Sequence, residues 1–201
     1  MSSVLFIATY IVLWILTVGL SCTVFALYRH LGLQMLNGAE GRARQGPDEG
    51  SRLPDATLHT LSGATMRLNQ PRERPLFVFF ASTTCEPCRR TLEALGQFAR
   101  RYDGALDTVL VCRGDTTQEV QEFTLPLPEC VYVVPDTRWE LGARLRVSST
   151  PFGLIADEES IVRAKGMPDR AEHFAWFIEQ LEVASGRRQR SVELDPLPMT
   201  K

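Results

Sequence analysis

The stretch Leu76-Phe-Val-Phe-Phe-Ala-Ser-Thr-Thr-Cys-Glu-Pro-Cys-Arg-Arg90 decides how this chain folds. Its first part, Leu76 to Ala81, is a short and continuous apolar run, which is typical of a β-strand that is buried on both faces. From Cys85 to Tyr102, apolar residues recur instead at helical spacing. Cys85 and Cys88 therefore lie where a central strand ends and a helix begins.

This position makes the cysteine pair reactive. Unpaired backbone N–H groups and the positive end of the helix dipole stabilise a thiolate at a helix N-terminus, and Arg89 adds positive charge in the first turn. Because the thiolate is the attacking species in disulfide exchange, we predict that Cys85 is the nucleophile. Cys88 lies one turn further on, where it can close a disulfide with Cys85 and resolve a mixed disulfide.

The cysteine pair has two alternative uses, a zinc site and a pair of inert core thiols. A zinc site would need two further ligands in tetrahedral range, and the other cysteines and histidines form no second paired motif. The pair could also be two inert core thiols, although Cys-x-Pro-Cys between a strand and a helix rarely arises by chance. We therefore predict a redox-active pair that uses no metal and no cofactor. A second bridge, between Cys112 and Cys130, stays open because the sequence gives no geometry.

The composition argues against two other classes of protein, nucleic-acid binders and disulfide-stapled scaffolds. The chain has 201 residues and a formal net charge of -2, which suits one domain with appendages and gives no broad basic face for nucleic acid. Its 5 cysteines are too few for a disulfide-stapled scaffold.

The amino-terminal segment, residues 1–30, is predicted to be a membrane anchor. Residues 2–28 contain no Asp, Glu, Lys or Arg, and residues 4–27 are almost wholly apolar. A helix of that length measures about 36 Å, enough to cross a hydrocarbon core of about 30 Å. A cleaved signal peptide fits less well, because no Lys or Arg precedes the apolar run and no A-x-A site follows it. A lipoprotein signal ending at Cys22 also fits poorly.

Two arguments about orientation conflict. Arg29, Arg42 and Arg44 follow the span, and the positive-inside rule alone would place the domain in the cytoplasm. A tethered dithiol domain has its obvious task on the oxidising side of the membrane. On that chemistry we predict a single-pass protein of the bacterial inner membrane with its soluble domain in the periplasm.

The rest of the chain reads as a linker over residues 31–53, a folded domain over 54–186 and a tail over 187–201. Within the domain the pattern predicts a hairpin about Ser62-Gly63, then alternating strands and helices: strands at 76–81, 108–112, 131–134 and 161–164, and helices at 85–102, 116–123 and 137–146. A last helix ends at Gly186. Pro151 cannot donate to a central ladder, so it starts an edge strand, follows a cis peptide bond or is a simple turn proline.

This order of elements resembles the thioredoxin superfamily over about Pro54 to Ser185. The resemblance implies a thioredoxin-like α/β fold, in which helices flank a central mixed sheet, and a cis Thr150–Pro151 bond beside the dithiol. Within the superfamily, the tether and hairpin look like the TlpA/ResA group. The MauD family of methylamine-utilisation proteins is more similar still, on three segments: Arg29 to Leu33, Phe79 to Cys88 and Ser149 to Gly166.

The resemblance to MauD implies a thiol–disulfide oxidoreductase or isomerase that assists disulfide formation in the small (beta) subunit of methylamine dehydrogenase, a periplasmic client. It also implies a redox partner in the membrane. Thr150 would offer backbone groups to the client by strand-like pairing, and Pro151 would keep that edge open. The residues expected to support Cys85 and Cys88 are Glu86, Pro87, Arg89, Thr150 and Pro151.

Three other functions remain. Thr84 stands where many thioredoxins have Trp, and Cys-Glu-Pro-Cys also occurs in ResA-like reductants of cytochrome c maturation. Glu86 opposes a thiolate at Cys85 while the helix terminus favours it, so the redox direction stays open. A non-enzymatic chaperone that only docks the client would tolerate loss of both cysteines. A peroxiredoxin is disfavoured because Phe77 to Cys85 does not reproduce the Pro-x-x-x-Thr-x-x-Cys pattern.

Overall fold

The predicted central strand is β3 (Leu76–Ser82) in the computed structural model, which describes residues 7, 10–21, 23–24, 45–168 and 170–186. Phe77, Phe79 and Ala81 face one hydrophobic cluster, and the alternate residues of β3 face a second cluster on the other side of the sheet. Every residue from Leu76 to Ala81 is 0 % exposed. The apolar run is continuous because both faces of this strand are covered.

A five-stranded mixed sheet is built around β3. The strand order is β5-β4-β3-β6-β7, with β4 at Asp107–Arg113, β5 at Val131–Pro135, β6 at Phe152–Ala156 and β7 at Val162–Gly166. β4 pairs in parallel with β3 and β5, whereas β6 pairs antiparallel with β3 and β7. Parallel neighbours need crossover connections, and helices supply them here. The prediction of a thioredoxin-like α/β fold with a central mixed sheet is confirmed.

Helices cover the sheet. They are α1 (Glu86–Arg101), α2 (Thr117–Thr124), α3 (Glu140–Arg144) and α4 (Ala171–Ala184). α1 and α4 pack together on one face, where the Phe77 ring meets Phe98 at 5.1 Å and Phe177 at 5.0 Å between centroids, both edge to face. Such aromatic pairs stabilise the packing beyond their buried area. This face fixes α1, and therefore the cysteine pair, against the end of β3.

The opposite face of the sheet is covered by a hairpin of β1 (Thr57–His59) and β2 (Thr65–Arg67). Gly63 has a φ of +83° in the turn that joins them, a conformation that favours glycine. Leu58 and Leu68 bury their side chains in the second cluster, together with Phe152 of β6. The hairpin predicted about Ser62-Gly63 is present.

Residues before the predicted domain boundary at residue 54 already pack on the folded domain. Residues 31–44 of the predicted linker lie outside the described part of the chain, but residues 45–53 pack on the domain. Leu53 is 1 % exposed, and the backbone N–H of Gly50 donates to the carbonyl of Val162 at 2.8 Å. Gly46 and Gly50 have φ values of +77° and +80°, so glycines at these turns let the segment follow the surface of the sheet.

The described residues of the amino-terminal segment, 7, 10–21 and 23–24, are assigned to a unit other than the domain. Residues 10–21 are helical and their side chains are exposed. Within the described residues, no helix is both long enough and apolar enough to cross a membrane. The predicted anchor extends onto positions outside the described ranges, among them residues 4–6 and 25–27, and the predicted tail at 187–201 lies wholly outside them.

Candidate active site

The cysteine pair lies at the start of α1, as its position in the sequence predicted. Cys85 is the N-cap residue, with φ −89° and ψ 104°, and its sulfur accepts a hydrogen bond from the backbone N–H of Cys88 at 3.2 Å. The two residues form a disulfide across a Cα–Cα distance of 5.2 Å. Hence the backbone N–H of Cys88, which has no helical carbonyl to bond, points at the sulfur of Cys85, where it would stabilise a thiolate.

The two sulfurs differ in accessibility. Cys85 is partly exposed, whereas Cys88 is 0 % exposed and belongs to the core cluster beneath α1. An incoming sulfur has to approach in line with the bond that it breaks, so only the Cys85 end of this disulfide is open to a protein client. This arrangement fits the predicted roles, with Cys85 as the attacked or attacking atom and Cys88 as the resolving thiol.

The loop before β6 approaches the same sulfur. Thr150–Pro151 is a cis peptide bond, and the Thr150 carbonyl oxygen lies 3.6 Å from Cys85 Sγ. Pro151 is buried, while Thr150 is partly exposed beside the disulfide. β6 is not an edge strand, because it lies between β3 and β7. Of the three alternatives for Pro151 (an edge strand, a cis peptide bond or a simple turn), the structure therefore shows the cis bond, which the family resemblance also implied.

The other predicted residues surround the start of the helix. Glu86 and Pro87 occupy its first two positions and are exposed, and a proline there gives up no helical hydrogen bond. The guanidinium of Arg89 lies over the ring of Phe123 at 5.4 Å from the centroid, so it links α1 to α2. Arg89 thus adds positive charge to the first turn from a fixed position.

Glu119 is a neighbour of the site that the sequence analysis missed. The pKa of its carboxyl is lowered, chiefly by the Thr83 hydroxyl and also by the backbone N–H of Asp115, which donates to Glu119 Oε2 at 2.9 Å. Thr116 caps α2 by accepting from the N–H of Glu119 at 3.1 Å. The Thr-x-x-Glu spacing of a capping box was the signal that could have revealed it. The carboxylate thus closes the N-terminus of α2 by accepting from the backbone N–H of Asp115.

Two more missed residues hold the Thr150 loop. The indole N–H of Trp139 donates to the carbonyl of Val147 at 3.1 Å, and its ring packs edge to face on Phe80. Gln45, which was assigned to the linker, lies under Ser149 with 3 % of its surface exposed. No local pattern in the sequence marks Gln45, because its partners are about 100 residues away.

The remaining cysteines stand apart from the pair. Cys112 and Cys130 are both free, and the described residues contain no group of three His, Cys, Asp or Glu side chains that could hold a metal ion. Burial raises the pKa of Cys112 to about 12, and the negative charge of Glu119 adds to the effect. Burial also raises the pKa of Cys130. Neither thiol is activated as Cys85 is.

Comparison with known sequences identifies relatives over most of the chain. The sequence profile of the AhpC/TSA family matches residues 50–175. The methylamine utilization protein MauD of Methylobacillus flagellatus is 29% identical over 196 residues, which is 94% of this chain and 93% of that protein. MauD of Methylorubrum extorquens is 29% identical over 86% of this chain and 85% of its own length. The resemblance to MauD proteins is therefore confirmed.

Solved structures share the fold at lower identity. A secreted disulfide oxidoreductase of Mycobacterium tuberculosis, homologous to DsbE of E. coli, superposes with a TM-score of 0.54 at 18% identity, covering 62% of this chain and 95% of the other. StoA of Bacillus subtilis superposes with a TM-score of 0.54 at 17% identity, covering 66% of this chain and 99% of that one. At these identities the likeness extends to the fold alone.

Proposed function

This chain belongs to the AhpC/TSA family, and within it we propose that the chain is a thiol–disulfide oxidoreductase whose reactive group is the Cys85–Cys88 pair. One observation carries the proposal. A disulfide at a helix N-terminus presents its exposed sulfur beside the Thr150 carbonyl, at 3.6 Å, while its second sulfur is buried. The arrangement combines a stabilised thiolate, a resolving thiol and an adjacent backbone edge for a client chain.

The exchange proceeds by two displacements. A client thiolate attacks Cys85 Sγ, the Cys85–Cys88 bond breaks, and Cys88 leaves with the electron pair as a thiolate. A second client thiolate then attacks the client sulfur of the mixed disulfide and releases Cys85 as a thiolate, which the N–H of Cys88 stabilises. The client has lost two electrons and two protons, and the cysteine pair has gained the electrons. A redox partner in the membrane takes them up again.

Thr150 and Pro151 hold the client during these steps. The backbone groups of Thr150 lie within reach of a client strand that approaches Cys85, and pairing along that edge orients the client cysteine toward the sulfur. Pro151 has no N–H to offer, so the edge stays free of a competing intramolecular bond.

We propose the small (beta) subunit of methylamine dehydrogenase as the client. Support comes from the similarity to MauD proteins of methylamine utilization, which spans 86% to 94% of this chain in the two relatives described above. On this proposal the chain forms or reshuffles disulfides in the subunit, and it does not itself oxidise methylamine.

A second candidate is a ResA-like reductant in cytochrome c maturation, which is favoured by one residue. Glu86 is exposed directly beside Cys85, and its negative charge opposes the thiolate that the helix terminus supports. Such opposition would make the reduced form less favourable and the pair more reducing. The reduction potential of the pair separates the two candidates.

The proposed location is the inner membrane, with the domain facing the periplasm. The apolar residues of the amino-terminal segment support an anchor, since Ile11, Leu13 and Ile15 are each more than half exposed. The hydroxyl of Thr17 donates to the carbonyl of Leu13 at 2.8 Å, so this polar group is satisfied within the helix, as a lipid environment requires.

Trapping of the mixed disulfide tests the proposed function. The exchange is reversible, so in a Cys88→Ser variant the Cys85 thiolate can still attack a disulfide of the client, but Cys88 is no longer there to displace the client from the mixed disulfide. Cys85 should then stay covalently attached to the client, visible as a reducible adduct on non-reducing gels. A Cys85→Ser variant should form no adduct, and a Cys112→Ser variant should behave as the unmodified chain does. A Cys88→Ser variant that never accumulates an adduct with a disulfide-rich client would contradict the scheme.

A further inference from the structure

The side chain of Gln45 makes five polar contacts with the loop that leads to Thr150. Its Oε1 atom lies within hydrogen-bond distance of four donors: Ser148 N at 3.3 Å, Ser148 Oγ at 2.9 Å, Ser149 N at 3.0 Å and Ser149 Oγ at 2.9 Å. Its Nε2 atom donates to the carbonyl of Ser149 at 3.4 Å. Gln45 is 3 % exposed, whereas both serines are exposed. The amide therefore lies beneath the loop and holds it from the inside.

The orientation of this amide follows from its partners. Backbone N–H groups can only donate, and those of Ser148 and Ser149 both point at the same atom of Gln45, so that atom is the oxygen. An amide oxygen has two lone pairs, which the four donors must share. Hence the side chain satisfies several groups of an irregular loop that has no strand or helix ladder of its own at these positions.

The neighbours of Gln45 fix the place from which it acts. The backbone N–H of Gly46 donates to the carbonyl of Arg146 at 2.9 Å. Gly46 has a φ of +77°, and a Cβ atom at this position would collide with the ring of Phe152. Asp48 pairs with Arg146 at 3.3 Å, but both side chains are mostly exposed, so this ion pair adds little. We call residues Gln45–Asp48 the strap, because they hold the loop that ends in Thr150.

We propose that Gln45 is a positioning residue for client binding: it holds Ser148 and Ser149, and through them fixes the Thr150 carbonyl beside Cys85 Sγ. The inference rests on the proposed function, since it concerns the edge that receives the client. Gln45 does not touch the sulfur atoms. Its loss therefore leaves the intrinsic chemistry of the cysteine pair intact and weakens the docking of a peptide chain.

Kinetics with a large and a small partner separate these effects. We would compare the full-length chain with Gln45→Met, which keeps the volume but removes the hydrogen bonds, and with Gln45→Glu, which keeps an acceptor. For a peptide that contains one disulfide, Gln45→Met should raise KM about tenfold, as expected for one to two lost hydrogen bonds, with kcat within about twofold. The reaction with dithiothreitol, which needs no docking edge, should change less than about twofold in rate.

Two further variants control the comparison. Ser160→Ala removes another buried hydrogen bond, from Ser160 Oγ to the Gln70 carbonyl at 2.7 Å, in the turn between β6 and β7. It should lower stability without changing KM. Gln45→Glu keeps the acceptor for the Ser148 and Ser149 donors but loses the donor to the Ser149 carbonyl, so its KM should lie between those of the unmodified chain and of Gln45→Met. If Gln45→Met does not fold, Gln45→Asn, whose amide is one methylene too short to reach the loop, carries the same expectation.

Hydrogen exchange gives a readout that does not depend on activity. The Ser148 and Ser149 amides should lose about tenfold of their protection in Gln45→Met and keep it in Gln45→Glu. Unchanged KM and unchanged protection in Gln45→Met would overturn the role of Gln45 and leave the proposed function standing. An unmodified chain that exchanges with dithiothreitol but with no peptide would overturn the proposed function, and the role of Gln45 in docking with it.

Discussion

At the scale of single residues, the chemistry of this protein depends on how differently its thiols are placed. Cys85 is an N-cap with an N–H aimed at its sulfur, and Cys88 is buried directly beneath it. Cys112 is also buried, but it lies within β4, near the end of that strand, where burial and the charge of Glu119 raise its pKa to about 12. The same atom type is thus reactive at one position and inert at another.

Alkylation of the reduced, folded protein should reveal this difference in reactivity between Cys85 and Cys112. At pH 8, a thiol with a pKa of about 12 is ionised in only about one molecule in ten thousand, so iodoacetamide should modify Cys85 rapidly and leave Cys112 intact. Cys112 should react only after unfolding in guanidinium chloride. Peptide mass spectrometry reports each site, and a Cys112→Ala variant is the control. If Cys112 were modified in the folded state as fast as Cys85, the claim that Cys112 is an inert core thiol would be wrong.

Residues near the site were predicted unevenly from the sequence. Cys85, Cys88 and the cis Thr150–Pro151 bond were foreseen, because the cysteine spacing and the family resemblance carry that information. Gln45 and Trp139 were not, since each acts on a loop through contacts that depend on the tertiary fold. A glutamine between glycines and charged residues reads as linker, and only the packed structure shows that its amide is buried.

At the scale of strands and helices, the register of the sheet answers a question that the sequence left open. Cys112 pairs with Pro135 at one end of β5, whereas Cys130 precedes Val131 at the other end, which pairs with Thr108. Four residues of strand separate these levels, or about 13 Å. Because a disulfide needs Cα atoms within about 7 Å, Cys112 and Cys130 cannot bridge in this fold, and both are free.

Hydrophobic pattern predicted the elements of the domain well. β3, β4 and β5 were placed correctly because each is a short apolar run between turns, and α1 because its apolar residues recur at helical spacing. Residues 45–53, which the prediction assigned to the linker, pack on the domain. Glycines and a proline among charged residues are typical of a linker, but Gly46 and Gly50 form turns that let this segment follow the sheet.

At the scale of the whole molecule, the proposed task requires the soluble domain on the oxidising side of the membrane. A reporter that is active only in the cytoplasm, fused to the carboxyl terminus, should give no signal, because the exchange chemistry needs a periplasmic client. A reporter that is active only in the periplasm, fused at the same residue, is the matched control and should give a strong signal. The opposite pair of results would place the domain in the cytoplasm, as the charges of Arg29, Arg42 and Arg44 alone would suggest.

The central claim is that the cysteine pair forms or reshuffles disulfides in its client, and the redox direction of the pair is its most direct test. The measurement is the equilibrium reduction potential of Cys85–Cys88 in the full-length chain, obtained by thiol labelling in glutathione buffers. An N–H that stabilises the Cys85 thiolate favours the reduced form, so we predict a potential of about −120 to −180 mV, the range of oxidants and isomerases. A potential near about −270 mV or below would contradict it, and would assign the chain to reductants that draw electrons from across the membrane.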